Sequence, residues 1–328
     1  MKYRDKFALW VLVFSALLVS VGASAAQKFS PSDVFGDVEY ANRLASRLLS
    51  DKDIQTLKLP MSFERSAKPM HVYELHISVL SELSIYALSN QLRPPPIATS
   101  TPINYEPTDV YYLTQLIVSK LEEIHIDKLG ELTISVKQFS GKSPSNVYQE
   151  IFNLFYRLSV LNGKSKISPS TVFEHITRAQ EDLQRTLVTL SKRLDDSKEE
   201  KKRLLLTSVY GTHPDASSLS TKPEGKTPGD VLKKALDVRA KLNILRTRYN
   251  LPSIQQPQIE AYNGIKPIDV FLQTQFIIAE LNLLKQPLKI SSATSRARTA
   301  KDKTPSDVYY VMQHMEYMIE RLISVNIQ

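Results

Sequence analysis

No cysteine occurs in the 328-residue chain. Disulfides, thiolate metal sites, cysteine catalysis and lipoprotein attachment are therefore excluded, and any folded part is held by its core alone. Glycine is scarce too, nine residues in all, so phosphate-cradling loops and irregular sheet folds are poorly supplied. HExxH, GxSxG, P-loop and GxGxxG patterns are missing. The six histidines are scattered: His71 and His76 are five apart, the wrong spacing for a shared helical face, and His125, His175, His213 and His314 sit in no metal-site pattern. His76 reads as a satisfied core histidine. No cofactor and no metal are expected, and a non-enzyme is the preferred reading. A hydrolase assembled from dispersed carboxylates is the enzymatic alternative.

What the chain has instead is one phrase used eight times, clearest at Thr304-Pro305-Ser306-Asp307-Val308-Tyr309. Its prolines are Pro31, Pro69, Pro107, Pro144, Pro169, Pro228, Pro267 and Pro305, each followed three residues later by valine and then by Phe, Tyr or, once, Leu. Each part suits a helix start. Proline at the first helical position loses no hydrogen bond. The residue before it is Ser or Thr in five copies, an N-cap, and the third helical residue is Asp in five and Asn146 in a sixth, placing a short acceptor at the electropositive end. Lys68, Glu106 and Lys266 at the cap, and His71 and Thr171 at the third position, depart from the pattern. The repeated aspartates read as caps, not catalysts.

The chain opens with Lys2, Arg4 and Lys6, an apolar run from Ala8 to Val21, and Ala23-Ser24-Ala25. This is the layout of a signal peptide over 1–25, cut before Ala26, and it predicts a periplasmic or secreted protein. The alternative is an uncleaved anchor, because Phe7 to Ala26 is twenty residues without a charge. Removing 1–25 leaves 39 basic and 33 acidic residues, a net charge of +6.

Successive prolines are 38, 38, 37, 25, 59, 39 and 38 residues apart. Two regular runs therefore flank an irregular middle, and the expected divisions are 26–163, a first helical-repeat group; 164–227, a middle with a long helix; and 228–328, a second group. Behind each phrase the positions 4, 7, 11 and 14 residues beyond the valine repeat one apolar pattern. Of these forty seam positions, valines included, only His76, Thr114, Thr186 and Thr274 are polar. That spacing is a helix seam packed on other helices. The fold class is thus all-α, an eight-helix repeat array or bundle with one helix and one long extended connector per ~38-residue repeat. A helix of about 18 residues is roughly 27 Å long, and a connector of about 17 residues reaches about 50 Å. Each connector can run back along its helix and start the next at the same end, which allows parallel neighbours with the eight starts gathered on one rim; parallel and antiparallel arrangements both stay open. Glu131 to Phe139 and Leu288 to Ser291 are apolar enough to pack as short strands or ribbons. Asn162-Gly163 is a helix stop followed at once by the cap Ser168, which predicts an antiparallel hairpin there. The fifth helix is expected to run to about Leu206, ending in the charged run Lys198 to Arg203, a solvated face.

For binding, Tyr111, Tyr112, Tyr148, Tyr309 and Tyr310 lie in the first turns of their helices, where a shared rim collects free helix amides. Successive residues point about 100° apart on a helix, so Tyr112 and Tyr310 are expected to face outward. The connector basic residues Lys285, Lys289, Arg296, Arg298, Lys301 and Lys303 could meet an anionic envelope surface. They lack interleaved aromatics, so nucleic acid is not expected. The preferred reading is an exported scaffold that binds another protein or an envelope component. The alternative is a periplasmic small-molecule-binding or sensory protein with a pocket between helices.

Overall fold

The computed structural model describes residues 28–49, 67–96, 104–130, 134–164, 166–196, 221–259, 262–295 and 297–325. Among them are eight helices: α1 Pro31–Leu48, α2 Pro69–Ser89, α3 Pro107–Leu129, α4 Pro144–Leu161, α5 Pro169–Asp196, α6 Pro228–Arg248, α7 Pro267–Lys285 and α8 Pro305–Ser324. Each begins on a proline of the repeated phrase, and there is no strand among the described residues. The third helical residue closes a cap at every start. Asp33, Asp109, Asp230, Asp269 and Asp307 each accept the N-cap backbone N–H at 2.7–2.9 Å. Asn146 accepts it through its amide oxygen, His71 through Nδ1 and Thr171 through its hydroxyl. The two departures at the third position, His71 and Thr171, therefore still cap, whereas Lys68, Glu106 and Lys266 at the cap make no side-chain cap bond.

The helices form two bundles of four. In the first, α1 and α2 lie diagonally and each packs on α3 and α4; in the second, α5 and α6 lie diagonally and each packs on α7 and α8. The phrase residues show the direction of the helices. Pro31, Pro69, Pro107 and Pro144, with the valines three residues on, ring one small apolar dimple, and the four prolines and valines of α5 to α8 ring another. All four starts of a bundle thus share one end, and its helices run parallel. The seam is the core: all forty positions are buried except the last-turn residues Leu48, Tyr86 and Leu161, which are half-buried. Each large apolar side chain buried there stabilises the fold by about 1.5–3 kcal/mol.

Parallel neighbours need connectors that return the length of a helix, and three are traced by their hydrogen bonds. Between α3 and α4, the Ser135 carbonyl accepts from Arg43, the Lys137 carbonyl crosses Gly36, and the Lys142 N–H meets Ser32 Oγ. That path descends α1. Between α6 and α7, Pro252, Ile254, Gln256 and Tyr262 meet Arg246, Asn243, Leu236 and Gly229 in turn, descending α6. Between α7 and α8, Lys289, Ser295, Ala300 and Lys303 meet Arg193, Arg178, Glu174 and Ser170, descending α5. Residues 134–140 form no regular element and Gln286 to Lys289 form turns, so neither segment holds a strand among the described residues.

One connector is short, Asn162 to Ser168, and there the chain reverses. Phe155 of α4 meets His175 of α5 edge-on at 5.8 Å, as the predicted antiparallel hairpin requires. The second bundle is consequently turned over relative to the first. Central helices α2 and α7 pack together, pairing His71 with Glu280, Glu74 with Asn282 and Ser78 with Gln275, an antiparallel register. One sequence expectation changes here. The starts gather on two rims facing opposite ways, because the hairpin inverts half the chain. Helix α5 packs on α7 and α8, within the second bundle. The stretch beyond Asp196, with Leu206 and the run Lys198 to Arg203, lies outside the described residues.

Candidate binding surfaces

Each rim is closed by a clasp between neighbouring helix starts. The residue two before the proline of one helix packs on the aromatic that follows the valine of the next. Lys142 Nζ lies 4.3 Å from the Phe35 ring centre, Lys303 4.8 Å from Phe173 and Lys226 4.7 Å from Tyr309. Phe29 stacks on Tyr111 at 3.5 Å, and Tyr105 meets Tyr73 edge-on at 5.4 Å. In the three lysine clasps the serine after the neighbour's proline also accepts the lysine backbone N–H, at 3.0–3.1 Å. Tyr111 and Tyr309 are therefore spent largely on closing the rims. The caps likewise occupy amides that were expected to be free.

Tyr112 is 63% exposed, as its position predicts, and lies edge-on to Phe29 and Tyr111 at 6.5 and 6.3 Å. Tyr310 is half-buried, edge-on to His314 at 4.4 Å. Tyr148 is not on a surface at all. It is 1% exposed, edge-on to Phe276 of α7 at 5.4 Å, and burial pushes its hydroxyl pKa up. The central position of α4 against the other bundle removes it from the rim.

The basic connector is also divided. Lys285 is buried, with Nζ 2.5 Å from Asp182 and bonded to Asn282 and the Ser292 carbonyl. Lys303 serves the clasp. Lys289, Arg298 and Lys301 are exposed, Arg298 standing 3.8 Å from Glu181; Arg296 lies outside the described residues. Between this connector and α5 is a cavity of about 210 Å³ lined by Phe173, Glu174, Thr177, Arg178, Arg298 and Thr299 among others.

Buried polar groups join the bundles. Arg178 of α5 bonds Glu74 of α2 at 2.9 Å, Ser78 at 3.3 Å and the Ser295 carbonyl at 2.7 Å. Arg239 of α6 bonds Glu280 at 2.6 Å and Gln273 at 2.5 Å, both on α7. Burial raises the Glu74 pKa and lowers that of Lys285. His71 and His175 are held well below the usual histidine range, by burial first and then by neighbouring Arg and Lys. His71 Nδ1 accepts the Lys68 N–H, so the ring proton of the neutral tautomer is on Nε2, 3.9 Å from Glu280. The carboxylates of Glu74, Asp182 and Glu280 each face a cation; the Glu74–Arg178 pair crosses between the bundles and the other two lie within the second. Sequence reasoning missed this network because Glu74 and Arg178 are 104 residues apart. It also missed Phe29 and Tyr105, whose signal was their constant place two residues before proline. No protein-family model, curated protein or solved structure matches the chain.

Proposed function

We propose that the protein is an exported, non-enzymatic scaffold that holds a protein or an envelope component at the ends of its bundles. The observation that carries this reading is the pair of like rims turned in opposite directions, one bearing the exposed Tyr112 beside Phe29 and Tyr111. Tyrosine presents a large, rigid, amphipathic contact area and is over-represented in interface cores. Two opposed ends can engage two things at once, which a single rim cannot. The test is affinity capture from envelope extracts with the wild type and a Tyr112→Ala/Tyr310→Ala variant of equal helical content. Loss of the captured component supports the reading, and unchanged capture moves the binding surface away from the rims.

A second reading has its own observation, the cavity of about 210 Å³ between α5 and the basic connector, with two guanidinium and two hydroxyl side chains on its wall. A homogeneous small molecule released on denaturing the purified protein, and lost in Arg298→Ala, would favour a ligand-binding role.

A further inference from the structure

Helix α5 and the connector that descends it part from each other just past the helix start. The cavity of about 210 Å³ left between them is walled by Glu174, Thr177, Arg178 and Glu181 on the helix and by Arg298 and Thr299 on the connector. Sites for drug-sized ligands run to roughly 300–1,000 Å³, so the occupant of this one is smaller.

The charges on its wall are already balanced. Arg178, 2% exposed, pairs with Glu74 at 2.9 Å, Glu174 Oε2 lies 3.5 Å from Lys164, and Glu181 stands 3.8 Å from Arg298 at the mouth. No wall charge is left over to draw in an ion, and a net charge brought into the cavity would lose its hydration without gaining a partner.

What the wall still offers is hydrogen bonding of both kinds. Of the Arg178 N–H groups, four go to the Ser295 carbonyl, Ser78, His175 and Glu74, and one on Nη2 is left with no acceptor among the described residues. Thr177 donates its hydroxyl proton to the Phe173 carbonyl at 2.7 Å, so its oxygen can only accept. The Glu174 Oε1 takes one bond, from the Ala300 N–H at 2.9 Å, and has a lone pair to spare. A donor and several acceptors interleaved along one helix face suit a molecule whose every polar group both gives and takes a hydrogen bond. Hydroxyls do that; carboxylates and ammonium groups do not. Phe173 and Ala300 add an apolar flank on which ring C–H groups can pack.

We infer that the cavity beneath residues 298–300 is a binding site for one neutral sugar ring, held by Arg178, Thr177 and Glu174 within and by Glu181 and Arg298 at the mouth. This rests on the ligand-binding reading of the cavity and names its ligand class. The Arg298 side chain at the mouth is 83% exposed, so the ring can be a free monosaccharide or the end of an envelope polysaccharide.

The test titrates the purified protein with glucose, galactose, mannose and N-acetylglucosamine, and reads binding as saturation transfer to the ring protons by NMR. At least one of the four should bind. Its Kd should rise about three- to tenfold in Thr177→Val, which keeps the shape of the side chain and loses the acceptor, and by a similar factor in Arg298→Ala, the loss expected for one hydrogen bond. Lys192→Ala, exposed farther along α5, should bind as the wild type does. No transfer from any of the four sugars overturns the inference, and so does a Kd equal in the wild type and both cavity variants. Neutral amino acids tried on the same samples separate the two claims. If they bind, and Thr177→Val weakens them while the sugars stay silent, the cavity is a ligand site and the sugar assignment falls. If neither class binds and the denatured protein releases nothing, both fall. Displacement of the bound sugar by soluble envelope polysaccharide supports the inference with a chain end as the source, and binding without displacement supports it with a free sugar.

Discussion

His76 and Thr114 are two of the four polar residues on an otherwise apolar seam, and they answer each other. The His76 Nδ1–H donates to the Val72 carbonyl at 2.8 Å, and Nε2 lies 2.9 Å from the Thr114 hydroxyl on α3. Burial brings the His76 pKa down from 6.5 to about 4. The unfolded chain therefore takes up the proton first, and the folded state loses stability as pH falls from 6.5 toward 4. That loss amounts to about 3 kcal/mol. His71 and His175 push in the same direction. Urea melts at neutral and at acid pH should show a smaller acid penalty in His76→Gln than in the wild type, by about that amount. An equal penalty would mean that His76 is not buried as a neutral ring. At the seam, Leu154 is fully buried, and Leu154→Ala should cost about 2–5 kcal/mol. Ser143→Ala, which removes only a cap, should cost about 0.5–2 kcal/mol, and thermal melts that ranked the two the other way would contradict the seam. Residue roles of this kind were legible because spacing alone places His76 in a core. Its partner was not, since Thr114 comes from another helix.

Gly36 of α1 and Gly229 of α6 show what the elements demand of one another. A Cβ at Gly36 would lie 2.7 Å from the Lys137 carbonyl oxygen, and one at Gly229 would lie 2.5 Å from that of Tyr262. Both glycines stand where a returning connector crosses a helix. Replacing an interior helical Gly by Ala ordinarily gains about 1 kcal/mol. Here Gly36→Ala should lose about 1–3 kcal/mol, because what the added methyl must displace is the connector's backbone and not the end of a flexible side chain. A thermal melt in which the variant equalled or exceeded the wild type would show that the connector does not press on α1 there. Every helix start could be read from the eight phrases; the connectors were long enough to allow a parallel course but did not decide it. What could not be read was which helix each connector descends. The 286–304 connector follows α5 and not α7 from which it comes, a choice made by Arg193, Arg178 and Glu174 after folding brings them together.

At the scale of the molecule, the hairpin at Asn162 to Ser168 decides more than any repeat. It sets α2 against α7 in opposite senses and creates the buried pair Glu74–Arg178. Glu74→Ala, which leaves Arg178 buried and unpaired, should cost about 3–5 kcal/mol in chemical denaturation. Glu74→Leu with Arg178→Met should recover most of that loss, because removing both charges ends the desolvation penalty. A double variant no more stable than the single would place the pair's value elsewhere. The two rims on opposite ends were missed from sequence for the same reason: seven residues between Leu161 and Pro169 signalled a turn, but a turn inverts everything downstream of it. The inversion also has an electrostatic consequence. Four parallel helices add their macrodipoles, about half a unit charge at each terminus, so each bundle by itself is a strongly polarised rod. Set side by side in opposite senses, the two rods cancel along the axis and leave a quadrupole, with a positive half and a negative half side by side at either end. An anionic surface that meets one end pulls on the half with the helix starts and repels its neighbour, so the molecule stands on it tilted, with one bundle leading.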